Sequence, residues 1–234
     1  MNILILSATE IEVAPLIKAL GKPVFHHEKL RSFRLGRLNL DILISGIGMV
    51  AKAFWLGKFL SENKYDFALN TGIAGSFASE IKIGEVVNVS VDQFSEIGAL
   101  VPDGFLTASD LHFGDFDTFP FKSGLLINPT NFDKFGLQNL KQVSGITSNT
   151  IHGEKASILA VAERFHPEVE TMGGAAFMYG CLYSKVPCAQ IRAISNFVEE
   201  RDKSRWNIPL AVKNLTSTIL EILDYLNKST LENE

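Results

Sequence analysis

Short runs of β-branched and aliphatic residues recur along the chain with segments of helical period between them, and this alternation limits the fold more than any other feature. Residues 3–6, 40–45, 66–70, 86–91, 125–128 and 189–194 predict strands, and residues 11–20, 50–61, 155–164, 174–183 and 210–227 predict helices. Strands that alternate with helices imply an α/β sheet covered on both faces. In the last helix Val212, Leu215, Ile219, Ile222, Leu223 and Leu226 fall on one stripe, as expected of an amphipathic helix docked on the sheet.

One stretch breaks the rhythm. Residues 94–121 are rich in Phe, Gly, Asp and Pro without clear periodicity, and an irregular insertion of this length in a compact domain is usually functional or a subunit contact. Its Phe94, Phe105, Phe113, Phe116, Phe119 and Phe121 are too apolar to be left in water, which predicts cover from a second subunit, hence a homodimer, or from a ligand. With 234 residues and 46% hydrophobic content, the chain is expected to form a single domain over 1–234, with a frayed polar tail at 228–234.

Composition excludes several partner classes. The balance of 22 Lys+Arg against 26 Asp+Glu gives a net charge of −4 with no basic stripe, so nucleic acid is not an expected partner. No segment approaches the roughly 18 to 20 apolar residues of a membrane span, and residues 1–6 lack the charged flank of a signal peptide, so no membrane partner and a cytoplasmic location are expected. Cys181 and Cys188 match neither redox nor zinc spacing and read as buried thiols, while the five histidines include no pair at metal-ligand spacing. No metal is expected.

Three motifs near strand ends carry chemistry. Thr9-Glu10-Ile11-Glu12 is a capping box, in which Glu12 bonds back to the cap; equally, a carboxylate at the carboxyl end of a strand lies where α/β sheets hold ligands, positioned as a general base. Ser45-Gly46-Ile47-Gly48-Met49-Val50-Ala51 formally satisfies the G-x-G-x-x-A dinucleotide fingerprint, yet it follows a later strand and lacks the acid that should end the next one. Tight turns and close helix packing account for its glycines better. Asn70-Thr71-Gly72-Ile73-Ala74-Gly75 reads as a small-residue turn after a strand, where a flat base can approach the main chain.

These segments, with Glu170-Thr171-Met172-Gly173-Gly174-Ala175-Ala176 and Arg192-Ala193-Ile194-Ser195-Asn196, resemble the nucleoside phosphorylase/hydrolase superfamily in collinear order over nearly the whole chain. Within it, Ser195-Asn196-Phe197-Val198-Glu199 and the trailing Arg201, Trp206 and Pro209 look like the futalosine hydrolase branch, relatives of methylthioadenosine/S-adenosylhomocysteine nucleosidases. The resemblance implies a three-layer sandwich around a central mixed sheet, a homodimer, and cleavage of the N-glycosidic bond of a purine nucleoside without a cofactor. By position, Glu12 matches the water-activating base and Asn196 the group facing purine N7 and the six-position. Gly46, Ile47, Ile73, Ala74, Gly75, Glu170, Thr171, Met172, Arg192 and Ser195 match positions that line the substrate site, with Met172 beneath the ribose.

Two positions depart from the pattern. Ile73 stands where adenosine-type nucleosidases carry Ser, and Gly173 stands where the motif has a Glu that grips the ribose hydroxyls. Asn196 favours a 6-oxopurine, which implies release of hypoxanthine from futalosine in menaquinone biosynthesis; an adenosine-type nucleosidase or phosphorylase and a nucleoside-binding homologue are the alternatives. Phosphorolysis is disfavoured because Leu6-Ser7-Ala8-Thr9 and Gly72-Ile73-Ala74-Gly75 supply no Arg and Glu12 repels phosphate.

Overall fold

The structure, a computed structural model, describes residues 1–102, 104–114 and 116–232, with side chains through Ser229. Its strands are β1 (Asn2–Ser7), β2 (Phe25–His27), β3 (Leu30–Leu35), β4 (Leu38–Ile44), β5 (Phe67–Ser76), β6 (Val86–Phe94), β7 (Gly98–Val101), β8 (Gly104–Thr107), β9 (Phe121–Lys122), β10 (Leu125–Ile127), β11 (Lys141–Thr147), β12 (Val169–Thr171) and β13 (Cys188–Phe197). Its α-helices are α1 (Glu10–Leu20), α2 (Met49–Glu62), α3 (Lys155–Phe165), α4 (Gly174–Tyr183) and α5 (Ile208–Glu232). Every expected strand and helix is present.

Alternate residues of β1 explain the layering. Ile3 and Ile5 point into a core shared with Val13 and Leu16 of α1 and with Leu215, Ile219, Ile222 and Leu226 of α5. Leu4 and Leu6 point the other way, onto Leu56 of α2 and Phe177 and Cys181 of α4. A strand buried on both faces has to be apolar throughout, which is what the run Ile3-Leu4-Ile5-Leu6 provides. The result is the expected three-layer α/β sandwich, and the sheet is mixed.

Strand β1 pairs in parallel with β4 and β5. Beyond β5 the sheet closes on itself: β5 pairs with β13, β13 with β6, β6 with β11, β11 with β12, and β12 returns to β5. On one edge β5 runs beside β1 as far as Asn70 and meets β12 only at Gly75. Between those points residues 71–74 have no strand on that side.

Three expectations need correction. Residues 70–75 form no turn; they are the interior of β5, and their small side chains leave room above a strand. The insertion is not irregular throughout, because β7 and β8 pair as a hairpin from Gly98–Thr107 to Val101–Gly104, although Asp103 and Asp115 lie outside the described residues. Phe94 and Phe121 pack on Ala175 and Met178, while Phe113 and Phe119 are exposed. The tail does not fray from 228, since α5 continues to Glu232, beyond which the expectation falls outside the described residues. Cys181 and Cys188 are free and buried, as read from their spacing. Among the described residues no helix is long and apolar enough to cross a membrane.

Candidate active site

A cavity of about 300 Å³ opens where β5 changes neighbours, and every residue expected at the site lines it except Gly46. Gly46, at φ +100, and Gly48, at φ +91, adopt backbone that favours glycine, and a Cβ on Gly46 would stand 3.3 Å from that of Ala51. The fingerprint is therefore a tight turn with close helix packing. Ile47 and Gly48 remain on the cavity wall.

Glu12 completes the capping box and also lines the cavity. Its Oε2 accepts the Thr9 N–H at 2.9 Å, completing the capping box, and also accepts the Thr9 hydroxyl at 2.9 Å and the Ser7 hydroxyl at 3.1 Å. Its Oε1 accepts the Ile73 N–H at 3.1 Å, the main-chain donor left without a strand partner on the open edge of β5. Cap and strand edge together aim the carboxylate into the cavity.

Arg192 reaches the same place from β13. A Cβ on Gly72 would stand 2.6 Å from Glu12 Oε1 and 2.8 Å from Arg192 Nη1, so the absence of a side chain there lets carboxylate and guanidinium converge. This corrects the premise that no Arg reaches that space; Arg192 arrives from a strand that the first and third strand ends do not reveal. Behind it, Arg192 Nη2 donates to Gln190 Oε1 at 3.0 Å, and Gln190 Nε2 donates to Asp92 Oδ2 at 2.8 Å. Burial pushes the Asp92 carboxyl up to about 6 against the pull of bonds from Gln190, Thr147 and Gln93. Burial also lowers Arg192 to about 10, with Glu12 and Asp92 opposing, so it stays cationic at neutral pH.

At the far end, Ser195 donates its hydroxyl to Asn196 Oδ1 at 2.7 Å, and Asn196 Nδ2 donates to the Phe197 carbonyl at 2.8 Å. Gly75 makes room for that amide, since a Cβ there would lie 3.3 Å from Asn196 Nδ2 and 2.9 Å from Val198 Cγ2. Ile151, Trp206 and Ile208 complete the apolar wall. Glu170 is engaged by the ring Nδ1 of His152 and, at 3.3 Å, by its backbone N–H. That hydrogen bond raises the His152 imidazole above its usual value, against burial. Thr171 lines the wall with its hydroxyl bonded to the Gly174 N–H at 3.1 Å, beside Met172 and Gly173.

Sequence reasoning missed Lys52. Its Nζ donates to Asn70 Oδ1 at 3.1 Å, and burial first, then Arg192, lowers its pKa to about 7 while Glu12 opposes. The signal was present: Lys52 precedes Leu56 by four residues, on the buried stripe of α2.

The chain belongs to the phosphorylase superfamily, whose family model matches residues 2–224. It is 32% identical to the futalosine hydrolase of Thermus thermophilus, with 94% of each chain covered. It is 28% identical to the 5′-methylthioadenosine/S-adenosylhomocysteine nucleosidase of Colwellia psychrerythraea, with 97% of each covered. Among solved structures, the futalosine hydrolase of Helicobacter pylori superimposes with a TM-score of 0.79 at 16% identity, over 97% of this chain and 98% of that one. The Colwellia nucleosidase, solved in complex with adenine, gives 0.78 at 23% identity over 97% and 96%. These structural likenesses bear on the fold.

Proposed function

We propose that the protein, as one domain over 1–234, hydrolyses the N-glycosidic bond of a 6-oxopurine nucleoside, releasing hypoxanthine from futalosine in menaquinone biosynthesis. Breaking that bond builds positive charge on the sugar and negative charge on the departing base, so the site has to stabilise both and aim a water at the anomeric carbon. Glu12 takes the proton of that water, and Arg192 holds water and carboxylate together. The likeness to the Thermus futalosine hydrolase supports the substrate.

The observation that carries the reading is the fixed amide of Asn196. With Oδ1 already accepting from Ser195 and Nδ2 already donating to Phe197, one N–H and one lone pair remain for the base edge. That pair donates to a six-position oxygen and accepts from a protonated N7. Reversing one such buried match costs about 1 to 3 kcal/mol, about 5- to 150-fold in preference. Chromatography of bases released from futalosine and from methylthioadenosine tests it: hypoxanthine should appear first, and Asn196→Asp should shift preference toward adenine. Faster release of adenine by the wild type overturns the assignment.

The molecule works as a cytoplasmic homodimer in this reading. Phe119 meets Tyr183 edge-on at 5.5 Å and Tyr183 meets Tyr179 at 4.9 Å, an aromatic cluster in which all three rings are exposed on the monomer. Light scattering at the 25.8 kDa monomer mass would contradict it.

A further inference from the structure

The amine of Lys52 lines the cavity, and this chemistry leaves it unused. Its side chain is only 3% exposed, and a buried lysine needs partners. Its hydrogen bond to Asn70 Oδ1 occupies one donor, and among the described residues no carboxylate forms an ion pair with it. As a neutral amine Lys52 keeps, beyond that bond, a second N–H and a lone pair that a ligand can engage. Asn70 sits in register with Leu6 at the end of β1, next to Ser7, whose hydroxyl bonds Glu12, so the amine lies at the Glu12 end of the cavity.

Gly173 gives the amine access. A Cβ at that position would lie 3.3 Å from Lys52 Cε and 3.5 Å from its Cβ, and the backbone there, at φ −164, is open to any residue. In the hydrolase reading, a nucleoside with its base at Asn196 and its anomeric carbon at Glu12 lays its sugar along the part of the wall that Met172 and Gly173 form. Neither offers a strong hydrogen-bonding side chain. The hydroxyls of Thr71 and Thr171 are engaged, the first with the Leu6 carbonyl at 3.4 Å and the second with the Gly174 N–H.

We propose that Lys52 contacts the substrate by hydrogen-bonding the 2′- or 3′-hydroxyl of the nucleoside sugar, an assignment that rests on the hydrolase reading of this cavity. The neutral amine is the productive form. It accepts from a sugar hydroxyl, whereas an ammonium would oppose the positive charge that grows on the ring. Around the amine, α1 presents Glu12, β13 presents Arg192, β5 presents the Asn70 amide and the start of α4 presents no titratable group; the Glu170–His152 pair is the next charged unit along the wall. With the amine at about 7, turnover rises as pH climbs through neutrality.

The test compares inosine, 2′-deoxyinosine and 3′-deoxyinosine on the wild type, Lys52→Met and Lys52→Gln. Removing the contacted hydroxyl should cost the wild type about tenfold in kcat/KM, the penalty should fall below about threefold in Lys52→Met, and the pH dependence of kcat near neutrality should vanish with it. An unchanged deoxy penalty in folded variants, or a flat wild-type profile, overturns the proposal. Binding of free hypoxanthine by calorimetry, which engages the Asn196 end alone, should survive in both variants; its loss from proteins with intact melting transitions means Lys52 supports the whole cavity and also overturns it. If the wild type releases no base from any nucleoside, the hydrolase reading fails by itself. The Lys52 contact is then judged on calorimetric affinities of inosine and its deoxy forms.

Discussion

Replacing Glu12 with Gln separates the catalytic role of this side chain from its structural one. Four donors converge on the carboxylate, and two are main-chain N–H groups that cannot turn away, Thr9 on Oε2 and Ile73 on Oε1. An amide has one oxygen. Turned to serve Thr9 and the two hydroxyls, it presents its NH₂ to the Ile73 N–H, so one part-buried donor loses its partner. That costs about 1 to 2 kcal/mol, toward the lower end for a buried orphan, or about 2 to 8 °C in Tm for a chain of this size. Loss of the general base should lower kcat by about 100- to 10,000-fold. Initial rates well below the transition, corrected for the folded fraction, distinguish the two effects. A corrected fall of less than about tenfold would mean that Glu12 only caps α1 and closes the sheet edge.

Three further outcomes follow from the same geometry. Gly72→Ala, whose Cβ would lie 2.6 Å from Glu12 Oε1, should push the carboxylate off the Ile73 amide and lower kcat at least about tenfold with KM little changed, as steady-state kinetics will show. Asp92, held at about 6 in the folded protein against 3.8 for an unperturbed Asp, keeps a proton that the unfolded chain has lost, so its contribution makes the protein more stable as pH falls from about 6 toward 3.8. Melting curves of Asp92→Asn should lack that gain. His152, raised by Glu170, stabilises the fold below its ordinary 6.5 and loses that contribution as pH rises past its folded value, so His152→Gln should depress Tm more in mildly acidic than in alkaline buffer.

Much of the site could be read from residue order because it sits where strands end and helices begin. Thr9-Glu10-Ile11-Glu12 disclosed both the start of α1 and the position of its acid, and Arg192 to Asn196 disclosed the opposite wall. Glycine chemistry misled at residues 70–75: a small-residue run suggests a turn, whereas here it keeps a straight strand clear for Glu12, Arg192 and Asn196, which approach from other elements. No local pattern states which distant side chain will need that space. Strand β11, Lys-Gln-Val-Ser-Gly-Ile-Thr, was missed because its sequence is too polar and too short of β-branched runs, although pairing with β6 and β12 holds it extended. A single lysine in an apolar helix reads by itself as a solvated residue, and its spacing four residues before Leu56 is the one local sign that Lys52 is buried.

The break in pairing along β5 ties the backbone to the chemistry. The amide of Ile73 is protected from solvent by the Glu12 side chain, while Leu69, further down the strand, sits in register with Ile5 in the fully paired part of the ladder. Whenever the carboxylate swings toward the water it activates, that single amide is released. Hydrogen exchange at Ile73 should then quicken during turnover, while Leu69 stays slow. One position of an otherwise rigid sheet thus works as a built-in reporter on the placement of the acid in the cavity.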